Sequence, residues 1–181
     1  MSGAGVDGDG TGRGADGERL THLDERGHAR VVDVSAKPVT VREARAEGRV
    51  ECSPRVLELI ASGGLPKGDA LAVARIAGLQ AAKRTPDLVP LAHPVAVHAV
   101  EVEIDVEPHA ERPGVLIRSA VRTADRTGIE MEALTCVVVA ALTFVDMVKA
   151  VDKRTVVTGV RVTAKSGGRS GDWSVDDRRD G

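Results

Sequence analysis

Four segments of the chain hold side chains that could do chemistry and that a hydrophobic core does not call for. In LPKGDALAVARIAGLQAAKRT, Lys67 stands on a loop just before a helix start. Lys67, Gly68 and the open backbone N–H groups of that start would together suit an anion such as a phosphate; a solvated loop lysine is the plain alternative. In LVPLAHPVAV, His93 lies in an apolar loop between two prolines. Proline fixes φ, so such a loop is stiff and aims a side chain, although a histidine that merely caps a strand start would read the same way. In RTGIEMEALT, Glu130 and Glu132 flank Met131 where the most apolar helical run of the chain begins. Acids favour helix N-termini through the macrodipole, but two carboxylates are more than the dipole needs. In LTFVDMVKAVDKRT, Asp146 and Lys149 are i and i+3 on one helix face and interrupt a hydrophobic run, which predicts partial burial for both. A lysine beside a carboxylate in a partly dry site can act as general acid or base.

Other kinds of chemistry find no support. The chain has no phosphate-binding Gly-rich loop of the P-loop kind, no nucleophilic serine motif, and no second ligand for His93 at zinc spacing. Cys52 and Cys136 are far apart and read as buried, reduced thiols. No metal and no cofactor is expected. What remains is acid–base chemistry on an anionic substrate, performed by lysine, histidine and carboxylate groups on loops and helix ends. Lys and Arg total 25 against 27 Asp and Glu, for a net charge of −2, so a nucleic-acid partner is not expected. One Trp, one Phe and no Tyr argue against RNA-recognition sheets and single-strand grooves. No run of about 18 uninterrupted apolar residues suggests a membrane span, and MSGAGVDGDGTGRGADGE has no apolar segment to serve as a secretory signal. A cytoplasmic setting follows as the expectation.

The elements that must hold these residues are legible from periodicity. Residues 1–18 are rich in Gly and Asp and read as a disordered tail; residues 166–181 read as a flexible C-terminal segment; residues 19–165 read as one catalytic domain. From Glu43 to Cys52, charges on odd positions alternate with small or apolar residues, the period of a strand with one wet face. Ser53-Pro54 opens a helix over 55–61 that Gly63-Gly64 ends. Asp69 caps an Ala-rich helix from 70 to about 84, stopped by Pro86. Strands follow over 97–107 and 115–123, then the long helix over 130–150 and a strand over 155–165. The order β-α-α-β-β-α-β predicts an α+β, ferredoxin-like antiparallel sheet with helices packed on one face. A core of Val, Ala, Leu and Ile buries little area per residue, which favours an oligomer.

Several of these motifs together resemble a known family. VDVSAKPVTVREARAEG, LPKGDALAVARIAGLQAAKRTPDLVPLAHPV, TGIEMEALT, ALTFVDMVKAVDK and AKSGGRSGDW are similar, in order and over about residues 21–173, to the cyclic pyranopterin monophosphate synthases, the molybdenum cofactor biosynthesis protein C family. The resemblance implies a lyase that turns (8S)-3′,8-cyclo-7,8-dihydroguanosine 5′-triphosphate into cyclic pyranopterin monophosphate and diphosphate by proton transfer and phosphoryl displacement. It implies Asp146, Lys149 and Lys67 as catalytic residues. It implies Leu91, Ala92 and His93 as one substrate-binding segment and Met131 and Glu132, with Glu130 beside them, as a second. Arg42 and Lys165 fall in motifs that look like triphosphate contacts. Many members carry Cys where Ala92 stands here, so an active chain would show that thiol to be dispensable. The resemblance also implies a homohexamer, a trimer of dimers with the site at a dimer interface. The rival reading is a non-catalytic ferredoxin-like ligand-binding or assembly module. Helix geometry adds one constraint. Glu132 and Asp146 are 14 residues apart on one expected helix, roughly 21 Å along its axis. Both cannot reach one small reacting centre from one chain. This predicts a site with His93, Glu130 and Glu132 from one subunit and Lys67, Asp146 and Lys149 from another.

Overall fold

A long strand, β1 (Thr40–Glu51), forms the middle of the sheet; from Glu43 on, its even positions are small or apolar and its odd positions charged. Ala44, Ala46 and Val50 are fully or almost fully buried, while Glu43, Arg45, Glu47, Arg49 and Glu51 stand on the other face. β1 pairs antiparallel with β3 (Gly114–Asp125) on one side and with β4 (Val156–Ser166) on the other. β2 (Ala99–Glu107) pairs antiparallel with β3. The sheet order is β2-β3-β1-β4-β5, the first four being the ferredoxin-like arrangement that the element order predicts. The computed structural model describes residues 26–168 and 171–175. Residues 1–18, expected to be a tail, lie outside it.

The chain divides into two units, residues 1–36 and residues 37–181, the second holding the sheet and helices. In the first, the Ser35 N–H donates to the Asp33 carboxylate at 2.8 Å and holds that carboxyl below its ordinary range.

Helices cover the small-residue face of the sheet. α1 (Pro54–Ser62) begins at Ser53 and ends on Gly63 in the left-handed region, as the sequence predicts. Ser53 does not cap through its side chain; instead its N–H donates to the Asp152 carboxylate at 2.8 Å. α2 (Ala70–Ala82) is capped by Asp69, whose carboxylate accepts from the Ala72 N–H at 2.9 Å. Pro86 does not simply stop α2. It opens a separate single turn, α3 (Thr85–Leu88), because a first-turn proline sacrifices no hydrogen bond. α4 (Glu130–Val148) lies across β1, β3 and β4 and packs against α2. The two helices approach closely where Gly78 meets α4: a Cβ there would sit 3.0 Å from the Cys136 carbonyl oxygen. The short strand β5 (Trp173–Ser174) pairs with the end of β4, adding a fifth strand from a segment that the sequence reading placed outside the folded domain.

α4 is long and apolar enough, by length and composition, to cross a membrane. Half of it is buried within the fold, so here it is the core helix. Its inward stripe is Ala133, Cys136, Val137, Ala140, Ala141, Phe144 and Val148, all at 0 % exposure. Phe144 is the largest of these side chains, set among alanines and valines that cannot expand to refill its volume. Phe144→Ala is expected to lower unfolding free energy by about 3–5 kcal/mol, read from denaturant midpoints at fixed protein concentration.

Candidate active site

Two charged clusters sit at the two ends of α4. At its C-terminal end, Asp146 receives two lysines. Lys67, on the loop that precedes the α2 cap, places Nζ 2.7 Å from Asp146 Oδ2 and donates to the Asp146 carbonyl oxygen at 2.9 Å. Lys149, one turn on, places Nζ 2.6 Å from Asp146 Oδ1. The ammonium groups of Lys149 and then Lys67 hold the Asp146 carboxyl down to about 2. The carboxylate is therefore ionised at any working pH, and the cluster carries one net positive charge. The partial burial expected for Asp146 and Lys149 is not found within one chain. Their side chains are 53 % and 60 % exposed, because they lie outside the inward stripe. They share an outward stripe with Met131, Val138 and Leu142, which at 3.6 residues per turn falls within about 80° of arc.

At the N-terminal end, Glu130 and Glu132 occupy the first turn of α4. Glu130 Oε1 lies 2.9 Å from Lys165 Nζ on β4. Glu132 turns inward and is only 2 % exposed. Burial, with a small addition from the neighbouring Glu130, pushes its carboxyl up to about 7, against the opposing pull of its own backbone N–H. Arg42 projects from β1 on the helix-bearing side of the sheet, two residues before Ala44, and its Nε donates to the Asp125 carbonyl at 2.9 Å. Leu91, Ala92 and His93 lie in the irregular segment between α3 and β2, where the Ala92 N–H donates to the Val89 carbonyl. That segment runs to the same end of the sheet. The Thr123 hydroxyl donates to the Ala96 carbonyl at 2.7 Å, and the His98 N–H to the Arg122 carbonyl at 3.0 Å. Three residues of chain leave His93 within about 11 Å of Ala96.

The structure thus gathers Lys67, Asp146 and Lys149 at one end of α4. It places Glu130, Met131, Glu132, Lys165, Arg42 and the 91–93 segment toward the other. Sequence reasoning missed Gly128. A Cβ at that position would overlap the Glu130 carboxylate, so glycine is what lets Glu130 fold back beside it. The only available signal was a glycine two residues before an acidic helix start. Cys52 and Cys136 are free and buried, and burial pushes their thiols up to about 11 and about 12, so neither is a nucleophile at neutral pH. Among the described residues no three of His, Cys, Asp and Glu converge as a metal set would. A cavity of about 440 Å³ opens on the opposite, charged face of the sheet, between Arg45, Glu47, Glu101, Arg118 and Arg161. None of the candidate residues lines it; it is the space between long side chains standing off a pleated surface.

The same residues fall within a stretch that matches a family model. Residues 31–168 match the model of the MoaC family. The chain belongs to the MoaC family. A protein of Streptomyces griseus named cyclic pyranopterin monophosphate synthase is 66 % identical over 155 residues, covering 86 % of this chain and 85 % of its own. Proteins of the same name from Streptomyces avermitilis and Parvibaculum lavamentivorans are 62 % and 54 % identical, covering 87 % of this chain and 90 % and 98 % of theirs. Family membership and the ferredoxin-like sheet agree with what the sequence motifs imply.

Two predictions follow from this geometry. The Glu132 carboxyl is raised in the folded chain, so its contribution to stability is fully present below pH 4.5 and is lost as pH rises toward 7. Wild-type protein should lose about 2–3 kcal/mol across that window, and Glu132→Gln should remove most of the loss in urea titrations at several pH values. Asp146 is shifted the other way and acts only below about pH 4. Gly128→Ala should leave the melting temperature within a few degrees, since the displaced atoms end a flexible side chain. It should lower turnover at least tenfold by driving Glu130 away from Lys165.

Proposed function

We propose that the chain is a cyclic pyranopterin monophosphate synthase, the lyase of molybdenum cofactor biosynthesis after which its relatives are named. Its substrate is (8S)-3′,8-cyclo-7,8-dihydroguanosine 5′-triphosphate, and its products are cyclic pyranopterin monophosphate and diphosphate. The observation that carries the reading is the Lys67–Asp146–Lys149 cluster. A permanently ionised carboxylate holds two ammonium groups at 2.7 and 2.6 Å, on a surface open enough to admit a triphosphate. Asp146 sets the positions of both amines. Lys67 and Lys149 neutralise the developing charge on the phosphoryl oxygens and exchange protons with the substrate. Glu132, buried in the first turn of α4, belongs to the same binding segment as Glu130 and Met131. His93, Leu91, Ala92, Met131 and Glu130 hold the substrate body, and Arg42 and Lys165 add positive charge for its phosphates.

This reading joins the two clusters in one site built from two chains. α4 is a single helix from Glu130 to Val148, so Glu132 and Asp146 are about 21 Å apart within one chain. The exposed stripe of Met131, Val138 and Leu142 runs between them along the same helix. Two antiparallel copies of α4 related by a two-fold axis would cover that stripe and set the start of each helix beside the end of its mate. The pairing would also supply the burial of Asp146 and Lys149 that a single chain lacks. Dimers of this kind, three to a homohexamer in a cytoplasmic setting, are the assembly that the reading carries with it.

The direct test is mass spectrometry of the cyclised GTP substrate after incubation with the protein. The expected result is cyclic pyranopterin monophosphate with diphosphate. Unchanged substrate beside folded protein would leave a non-catalytic binding module as the answer. Lys67→Ala and Lys149→Ala should each fold normally and lose about 10²–10⁴-fold in turnover. Mixing inactive His93→Ala with inactive Lys149→Ala under verified subunit exchange should restore about a quarter of wild-type activity, because about half the dimers are mixed and half the sites in each of those carry neither lesion. No recovery would leave each site within one chain.

A further inference from the structure

The chain has one Trp, one Phe and no Tyr. Phe144 is fully buried, which leaves Trp173, 37 % exposed, as the one large aromatic ring with surface to offer. Strand pairing sets its place. Trp173 on β5 is directly opposite Lys165 on β4, and opposed residues of an antiparallel pair project to the same face with Cβ atoms about 4.5–5.5 Å apart. Lys165 is in turn opposite Ala44 on β1, which is buried against the helices, and its ammonium reaches Glu130 at the start of α4. The indole therefore stands on the helix-bearing side of the sheet, one strand outward from the Lys165–Glu130 pair. Arg42 projects from β1 on that same side. Two-residue β5 is an edge strand, where a β-branched residue would be as favoured as an aromatic one. Pairing alone gives no reason for an indole there, half in water and beside a charged cluster.

We infer that Trp173 is a substrate-binding residue, its indole face stacking on the purine-derived ring of the nucleotide while the neighbouring cations take the phosphates. The inference rests on the synthase reading for the identity of that ring. An aromatic-poor composition excludes a platform that stacks several bases; it leaves room for one wall against one ring. Stacking of a base on an aromatic ring is made before and during reaction alike, so its loss raises KM and leaves kcat nearly unchanged. The expected size, from alanine substitution at base-stacking aromatics, is about 5- to 150-fold.

The test uses the full chain, in which Trp173 is the only indole. Guanosine 5′-triphosphate is titrated against its emission, with inorganic tripolyphosphate as the control that has phosphates and no ring. The expected result is a saturable change in emission with the nucleotide and little change with tripolyphosphate. Trp173→Leu is expected to raise KM for the cyclised substrate at least 5-fold with kcat within about 2-fold, and Trp173→Phe to restore most of the difference. A wild-type KM in Trp173→Leu overturns the inference. So does emission that stays unmoved at nucleotide concentrations where calorimetry records binding. A raised KM that Phe does not restore, accompanied by a lower melting temperature, also overturns it, because that is the signature of an edge-strand anchor. If the wild-type protein converts no substrate, the synthase reading fails, while the comparison of nucleotide with tripolyphosphate still decides the stacking.

Discussion

The length of α4 is the constraint on which the rest of the structure depends. A helix cannot shorten, and this one is held straight across three strands by a stripe of alanines, valines and Phe144. Its ends therefore stay a fixed distance apart, and each end collects its own charges from distant parts of the chain. Lys67 comes to the C-terminal end from the loop before α2, and Lys165 to the N-terminal end from the last long strand. The close contact at Gly78 helps fix α2, and with it the Lys67 loop, against α4. The register of β4 on β1 fixes Lys165 against Glu130. Packing that looks purely structural thus decides which charges meet.

The two ends offer carboxylates in opposite states. Asp146 lies in water between two ammonium groups and remains ionised far below neutrality. Glu132 is folded into the helix–sheet interface, where desolvation outweighs its own N–H and leaves its carboxyl near 7. Two acids on one helix are in this way separated by environment, one held ionised by its lysines and the other raised by burial. Helical phase does not explain the difference, because positions 132 and 146 are 14 residues apart and so only about 40° apart around the helix. The setting of each end does: Glu132 is buried in the first turn of α4, whereas Asp146 stands exposed near its last turn.

Much of this was legible in the sequence because the signals are local. The period of two in β1 and the period of 3.6 in α4 survive without knowledge of their partners, as do the glycine at the end of α1 and the aspartate cap of α2. The i, i+3 spacing of Asp146 and Lys149 gives their ion pair directly. What was not legible depends on strand register or on packing between distant segments. No local pattern tells that Lys165 meets Glu130, that Trp173 returns beside Lys165, or that a Cβ at Gly128 would collide with a carboxylate. The burial of Asp146 was misjudged for a related reason. Apolar neighbours at 138, 142 and 145 suggest a dry setting, yet two of the three share its exposed face. The turn α3 was missed because Pro86 reads equally as the end of one helix and the first turn of the next.

An aromatic-poor chain faces a geometric problem that the exposed face of α4 makes concrete. Small side chains let helices and sheet approach closely, which is how Ala44, Ala46, Ala133, Ala140 and Gly78 come to share one core. The same economy leaves a thin helical layer whose outer surface is still apolar. Val73 and Ile76 on α2 and Val138 and Leu142 on α4 are 42–64 % exposed. A folded monomer gains nothing from these four residues in water, since their burial is worth about 25 cal/mol per Å² only when something covers them. The proposed antiparallel pairing of α4 covers the α4 part of that surface and joins the cationic end of one helix to the acidic end of its mate. The residues that a single chain leaves exposed and the charges that it leaves separated then have one remedy. In that pairing Val138 and Leu142 support a site that they do not themselves form, about 6–15 Å along the helix from Asp146 and Glu132.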